Sequence, residues 1–138
     1  VRDYDASVPD LHGDAARLMQ SVLNVARNAA QELVLQKPGP NVPPAQITLR
    51  TRVARQVMLA HRHHRLALVL SIIDNGPGVP EHIRDRIFHP LVTARPGGTG
   101  LGLSLAQDFV QQHGGIIEFE SRPRHTEFRL VLPMEPPL

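Results

Sequence analysis

The sequence predicts a two-layer α/β sandwich, a mixed and mostly antiparallel sheet of about five strands with about three helices on one face. Three observations predict it. Helical periodicity, with apolar residues three and four apart, is confined to a few segments. Between them, other segments alternate apolar and polar residues, the pattern of strands covered on one face and solvated on the other. Only residues 65–74, R-L-A-L-V-L-S-I-I-D, run almost continuously apolar, which marks a central strand. A doubly wound parallel sheet needs several such runs.

Each element follows from its own stretch of chain. Val1–Ser7 reads as a short edge strand before Pro9. Asp14 is a plausible N-cap for a helix running to about Val34. Its apolar positions Leu18, Val22, Val25, Ala26, Ala29 and Leu33 form one face. K-P-G-P-N-V-P-P (37–44) is a loop by its proline and glycine content. Q-I-T-L-R-T-R-V then alternates, with Ile47, Leu49, Thr51 and Val53 on one side. The stretch H-R-H-H-R (61–65) sits between Val57 and Leu66, two strand residues, where a solvated hairpin loop is the default over a metal or partner site. Pro80 opens a short helix through Ile83 to Phe88, and Pro90 stops it. Residues 89–98 read as a loop and 100–113 as a helix, with Leu103, Ala106, Phe109 and Val110 inward. Gly114 and Gly115 end that helix. Two alternating strands follow, I-I-E-F-E and T-E-F-R-L-V-L, before a proline-rich tail.

Composition narrows the function classes. The 138 residues suffice for one domain with a real core. No run of eighteen apolar residues predicts a membrane span, and no charged-then-apolar leader predicts a signal peptide. With no Cys, disulfides and thiolate–zinc sites are excluded, which fits a cytoplasmic setting. A net charge of +2 is too small to argue for nucleic acid. A first residue of Val rather than Met predicts a piece of a longer protein.

Three clusters carry chemistry. In R-P-G-G-T-G-L-G-L-S-L-A-Q-D (95–108), Gly97, Gly98, Gly100 and Gly102 open a helix. No Lys follows, so this is not a Walker A loop, and the spacing is not a dinucleotide fingerprint. Glycines at a helix start still expose backbone N–H groups at its positive end, which suits phosphate. In D-N-G-P-G-V-P (74–80), Asp74 ends the central strand, and Gly76 and Gly78 form a turn. A carboxylate there needs a donor, and an adenine amino group or a plain tight turn both account for it. On the long helix, Asn24 and Asn28 share a face beside Arg27 and Gln31. That stripe is either solvated or a polar wall for Mg²⁺ and phosphate, since a carboxamide oxygen is a hard ligand.

Taken in order, the motifs resemble the ATP-binding domain of the superfamily that holds histidine kinases, gyrase B, Hsp90 and MutL. Its four boxes correspond to N-V-A-R-N-A-A-Q (24–31), D-N-G-P-G (74–78), R-I-F-H-P-L (86–91) and G-G-T-G-L-G-L-S-L-A (97–106). The resemblance covers essentially residues 1–138 and implies a Bergerat-type sandwich binding ATP and Mg²⁺. The hydrolysing members carry Glu four residues before the Mg²⁺ Asn. Here that position is Asn24, and an amide is no general base near neutral pH. This points to a histidine kinase, and V-R-D-Y-D-A-S-V-P, F-H-P-L-V-T-A-R-P-G-G-T-G-L-G-L-S and H-T-E-F are similar to nitrogen-regulation sensor kinases. A nucleotide-binding module without transfer, a gyrase-type ATPase and an anti-sigma serine kinase are the alternatives.

The resemblance implies a role for each matching residue. Asn28 binds Mg²⁺ and Asn24 supports the phosphates. Asp74 accepts from the adenine amino group, with Gly76 and Gly78 in its turn and Gly78 letting the base lie close. Thr126 joins Asp74 through a water. Phe88 and Thr99 belong to the cofactor-binding boxes, and Gly98, Gly100, Leu101 and Gly102 offer N–H groups to phosphate. Arg95 reaches the γ-phosphate from a short lid. Many histidine kinases have Lys where this chain has Gln31, which leaves Arg27 or Arg95 to supply that charge. The implied partners are the protein's own dimerisation and phosphoacceptor domain, an NtrC-like response regulator and a PII-type signalling protein. None of the eight histidines has the setting of a kinase acceptor, so the chain alone is not expected to phosphorylate itself.

Overall fold

A computed structural model describes residues 1–6, 15–35, 39–59, 61–79 and 102–134. Five strands form one sheet: β1 (Arg2–Asp3), β2 (Ile47–Leu59), β3 (Arg62–Asp74), β4 (Ile116–Arg122) and β5 (His125–Pro133). Their order across the sheet is β1-β2-β3-β5-β4. Only β1 pairs in parallel, with Arg2 opposite Leu49. The expected mixed, mostly antiparallel sheet is therefore present, with the apolar run 65–74 near its centre as β3. Among the described residues there are two helices, α1 (Ala15–Leu35) and α2 (Gly102–Gln112), where the sequence suggests about three. The expected helix at 80–88, the loop at 89–98 and the N-cap at Asp14 lie outside the described residues.

Strand alternation builds the helix-facing side. Ile72 stands opposite Phe128, and Leu70 opposite Leu130. Phe119 completes the row on β4, its ring stacked on Phe128 with centroids 5.8 Å apart. Onto this face pack Val25 of α1 and Ala106, Phe109 and Val110 of α2. Burying each large apolar side chain contributes about 1.5–3 kcal/mol, so this cluster is the principal source of stability. The helices are also tied to each other. Arg17 donates to Gln112 at 2.7 Å, and its guanidinium lies 5.5 Å from the Phe109 ring centroid.

The end of α2 follows its glycines. Gly114 takes φ +75°, Gly115 N–H donates to Val110 at 2.9 Å, and Gly114 N–H donates to Gln111 at 3.0 Å. This pair of bonds is a Schellman motif, which satisfies carbonyls that the helix leaves open.

Two expectations need correction. The hairpin at 61–65 is tighter than a five-residue loop. Leu59 pairs with Arg62, so His63 and His64 are strand residues, and His61 takes the left-handed turn position at φ 64°. The outer face of the sheet is also not wholly solvated. Val57 and Leu59 pack with Ala67, Val69, Val131 and Ile116 in a second apolar cluster. Gln56 marks where β2 joins this cluster, because at φ 55° it breaks the strand's alternation. Ile47 and Leu49 before it face the helical core, whereas Val57 and Leu59 after it join the outer cluster. A left-handed residue inside a strand is invisible to a period-of-two reading.

Candidate nucleotide site

The site is built at one end of the sheet. Asp74 is the last residue of β3, and its partners are Ile47 on β2 and Thr126 on β5. Thr126 in turn pairs with Ser121 on β4. Because alternation is shared across paired strands, Asp74, Thr126 and Ser121 form a polar row on the helix-facing side, at the end of the apolar rows. Asp74 and Thr126 are 5% and 4% exposed, so both polar groups are effectively buried. A buried carboxylate has to be met by donors.

One donor comes from the turn that follows. Gly76 N–H donates to the Asp74 carboxylate at 2.9 Å, an Asx-type turn. Asn75 fixes the other side of that turn. Its side-chain oxygen accepts from Gln46 N–H at 2.9 Å, and its amide donates to the Pro44 carbonyl at 2.8 Å. Asn75 is thus a structural staple between the turn and the segment leading into β2.

The β4–β5 hairpin clamps the turn from the opposite direction. Arg124 N–H donates to the Gly76 carbonyl at 2.8 Å. Ser121 Oγ accepts from Val79 N–H at 2.7 Å and lies 3.2 Å from Thr126 Oγ1. Gly78 sits between these contacts at φ +93°. A side chain there would meet Ser121 Oγ at 3.0 Å and the Arg122 carbonyl at 3.2 Å. The packing of the hairpin is sufficient reason for a glycine at 78. The turn also touches α1, since a Cβ on Gly76 would lie 3.4 Å from Leu33.

On α1, Asn24 and Asn28 are half-buried while Arg27 and Gln31 are exposed. The expected division of this helix, an apolar stripe beside a polar one, is what burial shows. Asn28 precedes Leu33 by five residues, about 7.5 Å along a helix axis. The asparagine stripe therefore lies on the same helix that reaches the Asp74 turn. Gly102 is the first residue of α2. Phe88, Arg95, Gly98, Thr99, Gly100 and Leu101 lie outside the described residues.

The structure thus unites Asp74, Gly76, Gly78 and Thr126 of the residues expected from sequence. It adds Ser121, Asn75 and the Arg124 backbone, which the sequence reading did not single out. Ser121 had a faint signal, a polar residue where the alternation of Ile117 and Phe119 calls for an inward side chain. The backbone donor of Arg124 has no side-chain signature.

Another polar cluster stands on the outer face. Glu120, His125 and Glu127 come within metal-ligand reach of one another. Arg129, however, pairs with Glu118, Glu120 and Glu127 at 3.2, 3.1 and 3.1 Å. The guanidinium already engages both carboxylates of this group, in an ion-pair network bracing the hairpin. At the far edge, Asp3 accepts from Arg52 and from Arg50, at 2.9 and 2.8 Å, and both hold its carboxyl below the usual range.

Comparison with known proteins shows the family and the fold. Residues 13–136 match the family described as histidine kinase-, DNA gyrase B- and HSP90-like ATPase. The sensory histidine kinase/phosphatase NtrB of Salmonella typhimurium is 48% identical over 134 residues, covering 97% of this chain and 36% of that protein. NtrB of Rhodobacter capsulatus is 39% identical over 99% of this chain and 37% of its own length. The chain spans about a third of these relatives. Among solved structures, the catalytic domain of histidine kinase ThkA superposes with TM-score 0.73 at 25% identity, covering 96% of this chain and 76% of that one. The mycobacterial sensor histidine kinase MprB gives 0.68 at 27% identity, over 99% and 84% of the two chains. No helix among the described residues is long and apolar enough to cross a membrane. The chain belongs to the histidine kinase-, DNA gyrase B- and HSP90-like ATPase family.

Proposed function

We propose that this chain is the ATP-binding catalytic domain of a cytoplasmic two-component histidine kinase of nitrogen regulation. It holds ATP·Mg and donates the γ-phosphoryl group to a histidine on its protein's dimerisation domain. An Asp of an NtrC-like response regulator then receives the group, and a PII-type protein acts on the kinase. The similarity to NtrB supports the assignment of system and partners. One observation carries the reading of the site. The buried Asp74 carboxylate ends the central strand beside buried Thr126, in a turn held from both sides. Such a carboxylate selects a donor-bearing base edge, and the adenine amino group is one.

Each remaining role follows from chemistry at a named position. Thr126 reaches the base through a water. Asn28 is the residue that would hold Mg²⁺, whose charge offsets that of the phosphates. Asn24 supports the phosphates beside it. Gly98, Gly100, Leu101 and Gly102 give N–H groups to them, with Thr99 in the same box, and Phe88 belongs to the R-I-F-H-P-L box. Arg95 steadies charge on the γ-phosphoryl group during transfer, with Arg27 as a second cation on α1. The bond from phosphorus to the β–γ bridging oxygen breaks as one to the acceptor imidazole nitrogen forms. ADP leaves with the bond's electron pair.

Calorimetric titration of Mg·ADP into this chain and into Asp74→Asn tests the site. Binding lost in the variant supports it, and binding that survives removes Asp74 from its role. Labelled ATP with the separate phosphoacceptor domain tests transfer. Phosphohistidine is expected, and its absence with a folded, nucleotide-loaded domain reduces the chain to a binding module.

A further inference from the structure

Ser121 is the last inward residue of β4, and its hydroxyl makes two contacts at once. It accepts from Val79 N–H at 2.7 Å and meets Thr126 Oγ1 at 3.2 Å. Between the two hydroxyls lies a single hydrogen bond, and either oxygen could give its hydrogen. The Val79 N–H decides the direction. A lone pair engaged by a short N–H donor polarises its own O–H and makes it the better donor. On that ground the hydrogen is assigned from Ser121 to Thr126, which leaves the Thr126 hydrogen for the base edge beside Asp74.

We infer that Ser121 is a positioning residue for nucleotide binding: it ties the end of the Asp74–Val79 turn to Thr126 and aims the Thr126 hydroxyl hydrogen at the base. This inference rests on the reading of Asp74 and Thr126 as the groups that face adenine. It adds a complementarity which that reading alone lacks. The adenine edge presents an amino donor flanked by ring-nitrogen acceptors. Asp74 supplies the acceptor for the first, and an outward Thr126 hydrogen, directly or through a water, supplies the donor for the second. A Thr126 turned inward to Ser121 would set acceptor against acceptor.

The contact also makes the hairpin part of the site. Ser121 touches no nucleotide in this scheme. Its hydroxyl converts the position of the Val79 backbone into the orientation of a side chain on the next strand. Gly78 enforces the approach, because any side chain there would push against Ser121 Oγ and the Arg122 carbonyl.

The test titrates Mg·ADP into the 138-residue chain and into S121A, T126V, T126S, S121A/T126V, S121A/T126S and D74N, with circular dichroism confirming that each is folded. S121A is expected to weaken binding about three- to tenfold, the size of one net hydrogen bond. That loss should persist in the T126S background, where a hydroxyl remains to be aimed. It should vanish in the T126V background, where none remains. A purely structural hold on Val79 would instead cost the same in both backgrounds, and that result overturns the inference. So does S121A binding as tightly as the unaltered chain while D74N loses binding. If D74N binds normally, or the unaltered chain does not bind, the adenine reading itself fails and takes the inference with it.

Discussion

Replacing Gly78 with alanine isolates how closely the β4–β5 hairpin approaches the Asp74 turn, because Gly114 provides an internal control. Both glycines have left-handed backbones, φ +93° at Gly78 and +75° at Gly114. An L side chain in that region costs roughly 1–2 kcal/mol. The unfolded chain loses freedom on Gly→Ala, which returns about 0.4–1 kcal/mol. At Gly114 nothing else is added, since the nearest atom to a new Cβ is Pro133 Cγ at 3.8 Å, an ordinary contact. The expected cost of Gly114→Ala is therefore about 1 kcal/mol.

At Gly78 the same conformational cost applies, and two contacts are added. The Ser121 hydroxyl at 3.0 Å cannot simply swing aside, because Val79 N–H holds it at 2.7 Å. The Arg122 carbonyl at 3.2 Å is backbone within a paired strand. Moving the hairpin weakens a hydrogen bond worth about 0.5–1.5 kcal/mol and adds overpacking strain of about 1–3 kcal/mol. Gly78→Ala should thus cost about 2.5–5.5 kcal/mol. Urea denaturation followed by circular dichroism measures both variants, since the chain has no Trp to report by fluorescence. Equal costs at the two positions would refute the argument that the hairpin, rather than φ alone, requires glycine at 78.

The other predictions use the same assays. Phe128, 1% exposed at the centre of the helix-facing core, should cost about 3–5 kcal/mol when replaced by Ala. Asn75→Ala removes two side-chain hydrogen bonds, to Gln46 and Pro44, and should cost about 1–3 kcal/mol in urea denaturation without changing the β3–β5 pairing. Asp3 has a carboxyl pKa lowered by Arg52 and Arg50, so it binds protons less readily folded than unfolded. Its contribution is present above the ordinary carboxylate range and is lost as pH falls through the lowered folded value. The melting difference between the unaltered chain and Asp3→Asn should therefore shrink below about pH 4. Arg129→Met leaves three carboxylates facing one another, so it should destabilise by on the order of 1–2 kcal/mol at pH 7 in low salt, and added salt should shrink that loss by screening their repulsion.

What the sequence revealed and what it hid divide along physical lines. Period and composition are local, and they located α1, α2, all five strands and the inward residues Val25, Ala106, Phe109 and Val110. Asp74 and the glycines of its turn were also legible, because a carboxylate at the end of an apolar strand requires a partner. Register is not local. Nothing in the linear chain says that Ser121 stands beside Thr126, or that Arg124 donates to Gly76, forty-odd residues away. The φ of Gln56 was hidden for another reason. Gln has no strong preference for left-handed backbone, so tertiary packing of Leu59 against Val131 overrides its local tendency.

Gly78 shows why a motif should not be explained from its ligand alone. The resemblance to nucleotide-binding boxes gives the glycine one purpose, close approach of a base. The direction in which its Cβ would point gives another, the approach of Ser121 and the Arg122 carbonyl. The two purposes are compatible only if the hairpin and the base occupy different sides of the same turn. In that arrangement the turn transmits force between them: Asp74 and Thr126 belong to paired strands, and Ser121 ties both to Val79. The groups that the proposed reading assigns to the base, Asp74 and Thr126, are both buried, and the turn beside them is braced by backbone bonds. On the proposed nucleotide reading, discrimination of the base belongs to the end of the sheet, and the phosphates are left to the start of α2 and the asparagines of α1.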